Sequence, residues 1–321
     1  MVKILANDGI HPDGKTLLEE AGYQVDTEKV PQEDLPQVLP DYDVVIVRSA
    51  TKIRKDLIDL CPKLKVIARG GVGLDNIDVE HAREKGITVM NTPAASSQAV
   101  AELAFGHMFN LARFLHRANR ELPTEGTTDF KKLKKAYSKG VQLRGKTLGI
   151  LGFGRIGQET GRIGVALGMN VLPVDLRVDA ADIDINLYKT ADVSLSVHLE
   201  TVDFAEMLAK SDFISLHVPF GGGKALIGAD EFAKMKNGVI VVNTARGGAI
   251  DEDDLLAALE SGKVRAAALD VFDNEPTPKA ALLNHPQISV SPHIGASTLE
   301  AQRNIGLELA DRILAFYGDD K

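Results

Sequence analysis

Apolar residues in this chain gather into short runs, separated by stretches in which they recur every three or four positions. Val2–Ala6, Val44–Ser49, Lys65–Arg69 and Thr88–Asn91 read as strands, and Asp13–Ala21, Lys55–Leu60 and Val79–Lys85 between them carry the helical period. Strands alternating with helices in this way predict a parallel sheet covered by helices. A second block repeats the alternation from Thr147 to about Val290. Its strands are expected at Val171–Val174, Phe213–Val218, Val239–Thr244, Ala266–Val271 and Ile288–Val290. Helix Glu252–Ser261 meets Gly262, a fitting C-terminal stop. Ser97–Leu122 keeps an apolar period between the blocks and reads as one long helix that connects domains or carries a subunit interface. The last segment, Thr298–Tyr317, places Leu299, Ile305, Leu309, Ile313 and Phe316 near helical spacing. It follows the second sheet and is expected to return to the first domain. An α/β protein of two doubly wound parallel-sheet domains, with a cleft between them, accounts for the pattern. The length of 321 residues agrees with two domains.

The second block opens on a chemical signal. Thr147–Gly157 is an apolar run that ends in Gly152, Gly154 and Gly157, with Arg155 and Ile156 at the start of a helix-like stretch. In such a strand–turn–helix the first glycine permits the turn, the second admits phosphates to the backbone, and the third lets helix and strand pack closely. Free N–H groups at the helix start then face the pyrophosphate. A glycine turn without any ligand is the bland alternative. Asp175, eighteen residues after Gly157 at the end of the next apolar run, decides against it. An acid there accepts from ribose hydroxyls and repels a 2′-phosphate, so NAD is expected rather than NADP.

Charge and composition narrow the partners. A net charge of −8 disfavours broad attachment to nucleic acid or an anionic membrane. The single cysteine, Cys61, permits no intrachain disulfide and reads as a buried thiol at a helix end. No run of about 18 apolar residues suggests a membrane span, and Met1–Ala6 lacks the apolar core of a secretory signal. A cytoplasmic enzyme with a small-molecule substrate, and no metal, is the expectation.

Three further segments end strands of the second block, where ligands bind on such sheets. Asn243–Gly248 offers Arg246, Asp270–Pro276 offers Glu275, and Ser291–Ser297 offers His293. A guanidinium holds a carboxylate or polarises a ketone, a histidine moves a hydroxyl proton near neutral pH, and a nearby glutamate orients the imidazole. Singly, each residue has an ordinary structural reading; jointly, beyond a nucleotide fingerprint, they suit hydride exchange at a 2-hydroxy acid. His217, in His217-Val218-Pro219, ends another strand and is a candidate for backbone contact with the cofactor. Of the eight histidines, His11, His81, His107, His116, His198 and His285 read as structural or surface residues. Lys131–Lys135 with Lys139 reads as a solvated face, or as a cationic arm toward an anion.

Over essentially its whole length the chain resembles the D-isomer-specific 2-hydroxyacid dehydrogenase family, through the glycine fingerprint and the segments around Arg246, Glu275 and His293. The resemblance implies that these three residues are catalytic. It implies a flavodoxin-like substrate domain, residues 1–97 plus 294–321, interrupted by a Rossmann NAD domain, residues 98–293. Val72, Val218, Pro219, Thr244, Ala245, Asp270, Gly295 and Ala296 are implied cofactor contacts, and the long helix region an implied homodimer contact. Val47–Lys52, Arg69–Asp78, Ala268–Phe272 and His293–Thr298 are similar to the branch of the family that oxidises 3-phosphoglycerate at the entry to serine synthesis. By that similarity Arg48, with Ser49, meets a substrate phosphate, and Gly71, Val72 and Gly73 line the substrate carboxylate and nicotinamide. A glyoxylate or hydroxypyruvate reductase on the same scaffold, and a nucleotide-binding corepressor, are the alternatives. The chain departs from the family at Ala94–Ala99, in the long polar connection 177–203, and in glycine-rich Phe220–Lys224. With its end at Lys321, no C-terminal regulatory domain is expected.

Overall fold

A computed structural model describes residues 1–186 and 194–318; positions 187–193 of the polar connection and the chain end at 319–321 lie outside the described residues. The chain divides into two compact units, Met1–Ser97 with Ala296–Lys321, and Gln98–Gly295.

The first unit is built on β1 (Lys3–Ala6), β2 (Gln24–Asp26), β3 (Val44–Val47), β4 (Val66–Arg69) and β5 (Thr88–Asn91), in the spatial order β2-β1-β3-β4-β5. Every pairing is parallel. Period-two alternation sorts the apolar run of β3 onto two faces. Val45 and Val47 join a core with Leu5, Ile67 and Leu57, whereas Val44 and Ile46 join one with Ile4, Val66 and Ala68. Burial on both faces is why β3 reads as Val-Val-Ile-Val without polar alternation. Helix Leu299–Gly318 seals the second face through Ile305, Leu309 and Ile313, as its amphipathic pattern implied. Cys61 is buried, and burial pushes its thiol up to about 11, so it is no nucleophile.

The second unit holds β6 (Thr147–Leu151), β7 (Asn170–Val174), β8 (Ala180–Asn186), β9 (Ser194–Glu200), β10 (Phe213–Leu216), β11 (Val239–Asn243), β12 (Val264–Leu269) and β13 (Ile288–Val290). Six form a parallel sheet in the order β13-β12-β11-β10-β6-β7. The fold is thus α/β, and the reversal of strand order beside β6 puts the glycine turn at a place where such sheets bind ligands.

One expectation needs correction. The single helix over Ser97–Leu122 is two helices, Ser97–Ala112 and Leu115–Ala136. The Ala112 carbonyl accepts from Val141 N (3.0 Å), Phe114 turns into the left-handed region at φ 59°, and Arg265 stacks over its ring at 5.0 Å. The polar connection contains the antiparallel pair β8/β9, in which Ile183 is buried. The lysine cluster lies in the last turns of helix Leu115–Ala136. Leu133 there is buried while Lys131, Lys132, Lys134 and Lys135 are exposed, a solvated face whose sign suits the helix C-terminus. Among the described residues no helix is long and apolar enough to cross a membrane.

Candidate active site

The glycine turn is shaped for an anion. Gly152 has φ 96°, and a Cβ there would lie 2.7 Å from the His217 carbonyl carbon. A Cβ at Gly157 would overlap the Gly152 carbonyl oxygen, so helix Arg155–Ala166 packs on β6 only with glycine at that place. Gly154, the N-cap, is exposed with open space in front of it, and no side chain caps the helix. The first N–H groups, at Arg155 and Ile156, are therefore presented to a phosphate. Asp175 ties this turn to its own: Oδ2 accepts from Phe153 N (2.7 Å), Oδ1 from Arg177 N (2.8 Å) and Val178 N (3.2 Å). A carboxylate has about four acceptor sites, which leaves capacity for a ribose hydroxyl. Replacing Asp175 by alanine is expected to narrow the NAD-over-NADP ratio of kcat/KM by about 10-fold, the equivalent of about 1.4 kcal/mol. An unchanged ratio in steady-state assays with both cofactors would remove Asp175 from cofactor selection.

At the end of β10 the His217 N–H is committed to the Leu151 carbonyl (2.7 Å). Its ring turns inward, with Nε2 at 3.0 Å from Thr160 Oγ1 and 2.9 Å from Ser215 Oγ, while Val218 and Pro219 continue outward. Burial pushes the imidazole down to about 3. An unfolded histidine titrates near 6.5, so between those values the unfolded chain holds a proton that the folded chain does not. Stability is therefore lost as pH falls through that window. His217→Gln should reduce the stability lost between pH 7 and 5 by at most about 2 kcal/mol. Equal losses for variant and wild type in urea titrations would contradict this.

The β11 end carries Thr244, Ala245 and Arg246. Asn243 folds the turn, accepting from Ala245 N (3.0 Å) and donating from Nδ2 to the Arg246 carbonyl (2.9 Å). Gly247 lets this backbone press against the Phe272 carbonyl, where a Cβ would overlap. Arg246 is half-buried, and its Nη1 donates to the Ala245 carbonyl at 2.7 Å. Thr244 Oγ1 is buried and has no hydrogen-bond partner among the described residues. An orphaned hydroxyl at the end of β11, two strands from β6 and its glycine turn, fits a dinucleotide reaching along this sheet edge.

Glu275 and His293 come together. His293 Nδ1 lies 2.8 Å from Glu275 Oε2, and Glu275 Oε1 accepts from Phe272 N at 3.0 Å. A carboxylate only accepts, so Nδ1 carries the proton and Nε2 is free to exchange one. Nε2 has no partner among the described residues, and the side chain is half exposed. His293 sits at φ 55°, unusual for a non-glycine residue. Asp270 holds it there. The Asp270 carbonyl accepts from His293 N (2.8 Å), its Oδ1 from Ile294 N (2.9 Å) and its Oδ2 from Gly295 N (2.9 Å). Glu252, buried at the start of helix Glu252–Glu260, accepts from Asp273 N (2.9 Å) and steadies the Glu275 loop. In the sequence, Glu252 carries no signal beyond being an acid in the first turn of a helix.

The first unit holds the remaining candidates. Arg48 and Ser49 follow β3 on a clamped loop. Asp8 accepts from Arg48 N (2.7 Å), Thr51 N (3.0 Å) and Thr51 Oγ1 (2.8 Å), while Asn76 Nδ2 donates to the Arg48 and Thr51 carbonyls at 2.7 and 2.6 Å. The Arg48 side chain lines a 270 Å³ cavity with His11 and Gln302, and its guanidinium has no acceptor among the described residues. Gly71 N donates to Thr92 Oγ1 (2.8 Å), and the Val72 carbonyl accepts from Asn91 Nδ2 (2.6 Å), which fixes Gly71 and Val72 beyond β4; Gly73 follows them. The Ala296 carbonyl accepts from Gln302 Nε2 at 2.7 Å.

A glycine turn on a parallel sheet, an orphaned hydroxyl at a strand end and a carboxylate-held histidine define a dinucleotide-dependent oxidoreductase. The chain belongs to the D-isomer specific 2-hydroxyacid dehydrogenase family, whose NAD binding domain matches residues 105–295. NAD is its cofactor. The chain is 43% identical to a hydroxypyruvate reductase of Thermotoga maritima, over 98% of both proteins. It is 44% identical to a D-3-phosphoglycerate dehydrogenase of Methanocaldococcus jannaschii over 98% of its own length, but spans only 57% of that relative. A glyoxylate reductase structure from Paecilomyes thermophila matches it with a TM-score of 0.81 at 31% identity, covering 98% of this chain and 94% of that one.

Proposed function

We propose that this NAD-dependent dehydrogenase interconverts 3-phosphoglycerate and 3-phosphohydroxypyruvate, in the cytoplasm, at the entry to serine synthesis. The observation that carries the phosphorylated substrate is Arg48, a guanidinium on a clamped loop with no acceptor among the described residues. Such a group binds a phosphate through charge-assisted bonds. Arg246 holds the substrate carboxylate and polarises C2–O, and backbone groups of Gly71–Gly73 line the carboxylate. His293 Nε2 takes the C2 hydroxyl proton, and Glu275 keeps the Nδ1 proton in place and offsets the charge that forms on the ring. Bound NAD supplies the hydride acceptor. We also propose a homodimer through helix Leu115–Ala136, supported by exposed Leu115, Leu122 and Phe130 along it.

A second reading, reduction of hydroxypyruvate, is supported by the relative that matches over 98% of both chains. A panel of 2-keto acids assayed by loss of NADH absorbance separates the two. Phosphohydroxypyruvate is expected to show the highest kcat/KM, and a preference for hydroxypyruvate or glyoxylate would favour the second reading.

A further inference from the structure

Helix Ser97–Ala112 brings His107 against the end of β13 and the segment that carries His293. The residue is 6% exposed, yet both ring nitrogens have partners. Nδ1 lies 3.0 Å from Ser289 Oγ and Nε2 lies 2.9 Å from Ser291 Oγ. Asn110 Nδ2 donates to Ser289 Oγ at 2.8 Å, and Ser291 Oγ donates to Asp270 Oδ1 at 2.6 Å.

The direction of this chain follows from its two ends. Asp270 accepts only, so the Ser291 hydrogen is spent on it, and Ser291 Oγ receives the hydrogen of His107 Nε2. The Asn110 amide donates only, so Ser289 spends its own hydrogen on His107 Nδ1. One neutral tautomer satisfies all four groups, and burial, which lowers the affinity of this ring for a second proton, agrees with it. Asp270 stands 1% exposed where the chain ends. With its side chain and its carbonyl it binds the N–H groups of His293, Ile294 and Gly295. Those bonds hold His293 in the left-handed backbone conformation, φ 55°, that turns its ring toward Glu275.

We propose that His107 is a positioning residue: acting through Ser291 on Asp270, it locks the His293–Gly295 backbone in its working geometry. The effect on turnover rests on the reading of His293 as the acid–base residue; the effect on the loop does not.

The test uses His107→Leu, His107→Gln, Ser291→Ala and the double variant His107→Leu/Ser291→Ala in the full chain. A glutamine amide can present one donor and one acceptor where the two ring nitrogens stand. Two readouts are taken: steady-state kinetics, and hydrogen exchange of the 291–296 segment without ligands. His107→Leu is expected to lower kcat about 10-fold, with KM for the keto acid changed less than about 3-fold. Exchange at Ile294 and Gly295 should rise about 10-fold. His107→Gln should restore most of both, and the double variant should be no worse than the more impaired single variant, because both break one link. Unchanged exchange at Ile294 and Gly295 would overturn the proposal, whatever the kinetics. Faster exchange with normal kcat would overturn the step from loop geometry to turnover. If His107→Leu does not fold, Ser291→Ala alone must show both effects, and wild-type values there would overturn the proposal.

Discussion

His293→Ala is expected to lower kcat by about 10²–10⁴-fold while leaving NADH binding, read by fluorescence titration, within about 3-fold of wild type. The residue's Nε2 has no partner among the described residues, its Nδ1 is held by Glu275 at 2.8 Å, and the loop beneath is fixed by Asp270. Deleting the ring removes the proposed proton acceptor but no contact of the glycine turn. Because His293 occupies φ 55°, a loss of activity could also come from a shifted backbone. His293→Asn separates the two causes, since asparagine tolerates that conformation better than most residues. The same deep loss in both variants points to the missing imidazole. Turnover near wild type in His293→Ala would remove the histidine from the chemistry.

Arg48→Ala is expected to cost about 10–150-fold in kcat/KM for phosphohydroxypyruvate, the equivalent of losing about 1.5–3 kcal/mol of charge-assisted bonding. Hydroxypyruvate should lose at most about 3-fold. The separation is clean because the loop does not depend on the guanidinium. Asp8 and Asn76 hold its backbone N–H and carbonyl groups, and these contacts survive in the alanine variant. Equal penalties for the two substrates would mean that Arg48 supports the fold or binds a group common to both, and would leave hydroxypyruvate reduction as the better reading.

The parts of this molecule that were legible beforehand are those governed by local physics. β5 and β13 occupy the residues that their apolar runs mark, Thr88–Asn91 and Ile288–Val290, and the glycine turn follows β6 as its spacing requires. What was hidden depends on partners far away in sequence. The break at Phe114 carries no glycine or proline; it follows from a hydrogen bond offered by Val141 and a ring contact from Arg265. Strand β2, three residues long, is too short to show a period. The pair β8/β9 does alternate, with Ile183 turned inward between Asp182 and Asp184, but its charged residues make the segment read only as a long polar connection. His107 looked like an ordinary structural histidine because its partners Ser289 and Ser291 lie more than 180 positions away. Asp270, which the resemblance implies as a cofactor contact, also has a place in the fold that its sequence position does not show. Its carboxylate is largely occupied by Ser291, Ile294 and Gly295, so most of its hydrogen-bonding capacity goes to shaping the loop.

The most direct test of the acid–base assignment is a crystal structure of the enzyme with NADH and 3-phosphoglycerate. The expected result places the C2 hydroxyl oxygen within about 3 Å of His293 Nε2, with Glu275 still on Nδ1. A bound substrate whose C2 hydroxyl is served by another side chain, with His293 Nε2 left in solvent, would contradict it.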